Sequence, residues 1–182
     1  DGAWGMSTGL IYVPSSYADT DELAALAEVV GRHGGIYASH IRNENVQLLT
    51  AVEEAIEIGR RGKLPVHISH FKSSGKDSWG LVRVAAETIQ QHRDGKFPVT
   101  ADQYPYTASS TSLDATLIPT WARAGGRRKM LTRLEDAEHG PRIKAAIEKK
   151  LRELDGGQRL QIAFCSAEPS WSGKRVSTIA RE

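Results

Sequence analysis

The sequence is short of most features that announce a function. It has one cysteine, Cys165, in 182 residues. An internal disulfide is therefore excluded, and a reducing, cytoplasmic compartment is expected. No apolar run approaches the roughly 18 residues that a membrane span needs, and no secretory leader is expected in it. Charge of one sign is missing too: 24 basic side chains face 22 acidic ones, for a net +2. Nothing in that balance demands a polyanionic partner. The densest basic run, GGRRK (Gly125 to Lys129), is short and has no interleaved aromatics, so a solvated surface is expected there, not a nucleic-acid contact. Neither GxxxxGK(S/T) nor GxGxxG occurs, which removes the common phosphate loops. There is no H-x-H pair and no initiator Met. The opening DGAWGMSTGL reads as the interior of something longer or as the product of a cleavage.

What is present is a period of about thirty residues. GMSTGLIYV reads as a strand, followed by a helix that Asp19 would cap with Glu22 three positions on, apolar at Leu23, Leu26, Ala27 and Val30. GIYASHIR (Gly35 to Arg42) is the second strand. Its helix bears Leu48, Leu49, Val52, Ala55 and Ile56 and stops at GRRGK, where cations and glycine suit a C-terminus. LPVHISHF is the third strand, with Leu81, Val84, Ala85 and Ile89 on the helix after it, and FPVTADQY is the fourth. Strands alternating with helices predict a parallel α/β sheet. The pattern then breaks. Residues 1–112 are expected to form the β/α units and 113–157 an inserted helical subdomain, whose best helix Pro141 would open. QRLQIAFC is a fifth strand candidate, so 158–182 is expected to return to the sheet.

In parallel α/β folds chemistry gathers at the C-terminal ends of strands. His40 ends one strand, His70 the next and Asp102 the third, at separations of one β/α unit. By strict alternation Ile36, Ala38 and His40 share one face, as do Val66, Ile68 and His70, while His67 has the opposite parity and would face the helices. His40 and His70 are thus candidate metal ligands, although a strand histidine is also an ordinary structural residue. Lys72, just past the third strand, suits a substrate carboxylate or a solvated loop equally, and Arg42 has the same ambiguity. Asp102 could be a ligand, a base or a partner of the QYPY turn. Tyr104 could donate to a carbonyl oxygen or simply pack. His33, His92 and His139 read as surface or capping residues, and Cys165 as a buried thiol.

Four pieces, GAWGMSTGLIYVP, GGIYASHIRNE, PVHISHFKSSG and TADQYPYTASST, resemble in order and spacing the N-acyl-D-amino-acid deacylase (D-aminoacylase) group of the amidohydrolase superfamily. The resemblance implies part of a TIM-like (β/α)8 barrel with a helical insertion. It implies zinc-dependent hydrolysis of N-acyl-D-amino acids to a carboxylate and a free D-amino acid. It places two metal histidines on His40 and His70, substrate-carboxylate or carbonyl contacts on Lys72, Tyr104 and Ser110, and a pocket wall on Tyr12. Three departures accompany it. The group's H-x-H is absent, Cys165 lies downstream of both histidines and does not match the group's metal cysteine, and the group's general-base aspartate lies beyond the insertion, past Glu182. The expectation is a partial chain, inactive alone, that either self-associates or is completed by further barrel segments. A cyclic amidase of the dihydroorotase or hydantoinase type is the enzymatic alternative, although no lysine ends the strand before His40. A non-catalytic fragment is the other.

Overall fold

The computed structural model describes residues 2–182. The chain divides into two compact units, Asp1–Tyr106 and Thr107–Glu182.

The first unit is built from β1 (Gly5–Gly9), α1 (Thr20–Arg32), β2 (Ile36–His40), α2 (Leu48–Gly62), β3 (Val66–Ile68), α3 (Leu81–Asp94) and β4 (Val99–Ala101). The four strands lie in sequence order and every pairing is parallel, with Gly9 opposite His40, Ala38 opposite His67 and Ile68 opposite Ala101. The expected alternation of strand and helix is therefore present. Asp19 caps α1 as its position predicts, its carboxylate accepting the Glu22 N–H at 2.8 Å. Helix α2 ends on Lys63 in the left-handed region, φ +53°. One core joins the helices to one face of the sheet: Tyr37, Val66, Ile68 and Val99 are buried with Leu23, Val52, Ala55, Ile56 and Ile89.

Helices α1 and α2 cross closely because both have glycine at the contact. A Cβ on Gly31 would stand 1.9 Å from the Gly62 carbonyl oxygen, a backbone atom that cannot rotate away. Gly31→Ala is therefore expected to push the helices apart. We expect a loss of about 1–3 kcal/mol of unfolding free energy, read from the urea midpoint at unchanged m-value; an unchanged midpoint would show that the crossing is not fixed by glycine.

Strand parity corrects one sequence expectation. Val66 and Ile68 are the helix-facing residues of β3, so His67 lies on the opposite face, in line with Ala38. It does not face the helices. The reason is that the apolar pair of a short strand must be the pair that is buried.

The second unit is helical: α4 (Leu113–Leu117), α5 (Thr120–Arg123), α6 (Arg127–Glu135), α7 (His139–Glu153) and α8 (Val176–Ile179). Helix α7 is the one anticipated from Pro141, starting two residues earlier because Asp136 accepts the N–H groups of Glu138 and His139. Ile143 is its buried anchor. Gly156 and Gly157, both at positive φ, follow its end. QRLQIAFC does not form the expected fifth strand. It makes a single antiparallel bridge, Gln161 to Arg175. A strand there would need an apolar surface to cover, yet Phe164 is 77% exposed. Cys165 is half-buried, not buried.

Candidate metal centre

His40 is the last residue of β2 and points away from the helices, since its neighbours Tyr37 and Ser39 take the buried positions. His70 reaches the same place by a different route. Alternation from Val66 and Ile68 would send it toward the helix layer. Instead β3 stops at Ile68 and His70 adopts φ +40°, a left-handed conformation that side-chain-bearing residues rarely enter. The turn swings the imidazole back over the strand ends. The two rings meet edge to face, centroids 4.4 Å apart at 74°.

A third group completes the cluster, and it was not among the sequence candidates. Glu44 follows His40 by four residues in the loop leading to α2. The side chain of Asn43 accepts the N–H groups of Asn45 and Gln47, and the Ser74 N–H donates to the Glu44 carbonyl. These bonds turn the loop so that the Glu44 carboxylate faces the histidines. Donor atoms of His40, Glu44 and His70 all lie within 4.8 Å of one another. Glu44 Oε1 is 3.1 Å from His70 Nδ1 and 4.0 Å from His40 Nε2. The only hint in the sequence was a carboxylate just past a strand-end histidine, which is too common a pattern to select it.

Lys72 supplies the positive charge here. Its ammonium sits 2.5 Å from Glu44 Oε1, 3.0 Å from His70 Nδ1 and 3.0 Å from the His70 carbonyl oxygen. It also lies 5.5 Å above the Tyr104 ring. The carboxylate is 11% exposed, so a cation beside it is required. His40 shows that the cluster suits a metal: its Nε2 is buried with no hydrogen-bond partner among the described residues. Burial, reinforced by His70 and Lys72, holds its pKa below the usual histidine value despite the opposing pull of Glu44. His40 is thus a neutral imidazole at neutral pH, the form that ligates. Two nitrogens and a carboxylate oxygen around one point are a donor set that fits zinc.

The remaining candidates fall into place around this cluster or away from it. The Tyr12 ring lies 5.0 Å from His40. The Tyr104 hydroxyl is buried and has no partner among the described residues. Ser110 belongs to the second unit, where it is exposed ahead of α4. Asp102 faces His67, not the QYPY turn, with Oδ2 2.9 Å from His67 Nε2, and it accepts the His70 N–H. Those bonds, His67 first, hold its carboxyl below the ordinary carboxylate range. Arg42 is structural. It pairs with Glu54 through Nε and Nη2, each at 2.8 Å, and donates to the carbonyl oxygens of Ser16 and Ala18. Its guanidinium is thereby spoken for, and the ambiguity with a substrate contact is removed.

Known proteins resemble this chain in sequence and in fold. No family model matches the chain. A D-aminoacylase of Alcaligenes xylosoxydans xylosoxydans is 40% identical over 112 residues, 62% of this chain and 23% of that protein. An N-acyl-D-aspartate deacylase of the same organism is 40% identical over 131 residues, 67% of this chain and 26% of that protein. Among solved structures, an N-acyl-D-glutamate deacylase from Bordetella bronchiseptica, complexed with zinc and a phosphonate mimic of the tetrahedral intermediate, superposes with a TM-score of 0.72 at 30% identity. A D-aminoacylase variant in complex with copper chloride gives the same values. Each superposition covers 99% of this chain and 30% of the other. The chain thus spans about a quarter to a third of the length of its relatives. By sequence and fold together it is related to a segment of the D-aminoacylases and N-acyl-D-amino-acid deacylases, and its parallel β/α units match part of the TIM-like barrel of those amidohydrolases.

Proposed function

We propose that this chain forms one wall of a zinc-dependent amidase site that acts on N-acyl-D-amino acids. The observation that supports it best is the convergence of His40, Glu44 and His70 about a point where a lysine ammonium already balances the carboxylate. His40 and His70 would hold the zinc, with Glu44 as the third protein donor. Zinc bound there supplies Lewis acidity, lowering the pKa of water to about 7 and polarising an acyl carbonyl. The partnerless Tyr104 hydroxyl is placed to donate to an oxygen that gains negative charge. Lys72, released from Glu44 when a divalent cation takes over its charge balance, would turn to the amino-acid carboxylate. Tyr12 would close the pocket behind His40. We read Asp102 as a partner of His67 and of the His70 N–H, not as the base. Each of β1 and β4 pairs on one edge only among the described residues. We read the other edges as seats for further barrel strands or for a second copy.

The test is a transplant. The matching segment of an Alcaligenes D-aminoacylase is replaced by this one, and release of free D-amino acid from N-acetyl-D-amino acids is followed with and without zinc. Zinc-dependent turnover is expected from the chimera and little or none from the 182-residue chain alone. A folded, zinc-loaded chimera without turnover would refute the reading.

A further inference from the structure

All four polar groups of Asp102 are engaged by one short stretch of a different strand end. Its N–H donates to the Ile68 carbonyl at 3.2 Å, and its carbonyl accepts the Phe71 N–H at 2.8 Å. Its Oδ1 accepts the His70 N–H, and its Oδ2 lies 2.9 Å from His67 Nε2. An ionised carboxylate can only accept, so His67 Nε2 bears a hydrogen. The other ring nitrogen, Nδ1, is 2.8 Å from Thr100 Oγ1. Every one of these contacts ties residues 67–71 to residues 100–102. Between them sits His70 at φ +40°, a left-handed conformation that is sterically disfavoured for a residue with a Cβ. Without an outside hold, the segment would relax toward extended backbone and turn the imidazole away from His40.

We infer that Asp102, braced by His67, is a positioning residue that fixes the left-handed turn at His70 and so aims the His70 imidazole at the metal site. This rests on the zinc reading above, but it concerns groups that touch no substrate and no metal donor atom. His67 gains a role as well, since the histidine that looked incidental beside His70 braces the carboxylate that clamps the His70 backbone. Outer groups of this kind typically change metal affinity by 10–100-fold.

The experiment uses the 182-residue chain in four forms: unaltered, Asp102→Ala, Asp102→Asn and His67→Gln. Zinc affinity is measured by competition with a chromophoric chelator, and cobalt(II) substitution reports ligand geometry through its visible bands. Hydrogen exchange at the His70 amide is followed by NMR, a readout that needs no metal. Asp102→Ala is expected to weaken zinc binding about tenfold or more, to alter the cobalt bands and to speed exchange at His70. Asp102→Asn keeps an acceptor for the His70 N–H and should restore most of the affinity, which also guards against a variant that simply fails to fold. His67→Gln should fall between. Equal zinc affinity, unchanged cobalt bands and unchanged His70 exchange in folded Asp102→Ala would overturn the positioning role while leaving the zinc site standing. No zinc binding by the unaltered chain would overturn the site itself, and the positioning role with it.

Discussion

His70→Ala is expected to reduce zinc affinity by more than a hundredfold, with the fold retained. The magnitude follows from how metal sites divide their energy. A four-ligand zinc site contributes about 10–16 kcal/mol, so one ligand is worth about 3 kcal/mol, and about 1.4 kcal/mol is tenfold in Kd. The fold should survive because His70 lies outside the core. Its ring is 30% exposed, and the buried residues of its strand are Val66 and Ile68. His40→Ala should behave alike, and Glu44→Gln should show a smaller loss, since an amide oxygen still coordinates weakly. The measurement is zinc content after dialysis against a buffered metal, with circular dichroism alongside. Unchanged zinc content in His40→Ala and His70→Ala would end the assignment.

Lys72→Met is expected to move two quantities in opposite directions. In the metal-free chain it removes the cation that neutralises Glu44, whose carboxylate is only 11% exposed. Truncating one partner of a buried, hydrogen-bonded pair leaves an uncompensated charge, at a cost of about 3–5 kcal/mol when burial is complete. Lys72 itself is 18% exposed, so about 2–3 kcal/mol is the expected loss. Zinc affinity, by contrast, should rise at least tenfold. An ammonium about 3 Å from one proposed donor atom opposes a divalent ion there by several kcal/mol at an effective dielectric near 20, and the substitution removes it. Saturating zinc should then recover most of the lost stability, because the metal replaces the missing charge beside Glu44. In the chimera, Lys72→Met should raise KM for N-acyl-D-amino acids if the ammonium binds their carboxylate. The decisive pair of measurements is the thermal midpoint with and without zinc, and zinc Kd by competition. A variant that binds zinc no more tightly than the parent would show that Lys72 and the metal do not compete for the same carboxylate.

Several features were legible in the sequence because they depend on neighbours along the chain. The four strands, the three intervening helices and the Asp19 cap follow from apolar periodicity and capping chemistry, and the core satisfies both. The strand-end placement of His40 follows from the same periodicity. The helix begun around Pro141 was legible too, since its stop at Gly156 and Gly157 is local. QRLQIAFC shows the limit of that reasoning. Its composition suits a strand, but strand formation needs a partner edge and a surface to cover, and neither is a property of eight residues.

Tertiary structure alone decided how the site is assembled. Alternation put His70 on one face with Val66 and Ile68, yet those two are buried toward the helices and His70 is not. The discrepancy is absorbed by a single left-handed residue held by Asp102, a carboxylate 32 residues away in sequence. Glu44 was invisible as a donor because its loop is shaped by Asn43 and by a hydrogen bond from Ser74 on the neighbouring strand end. His67, in the opposite sense, appeared incidental until its contact with Asp102 was seen. The sequence by itself determined the β/α framework and which residues stand at strand ends, since helix and strand periods are local. Only the packed sheet decided which of them meet, because that depends on register between strands and on one backbone turn that no local pattern encodes.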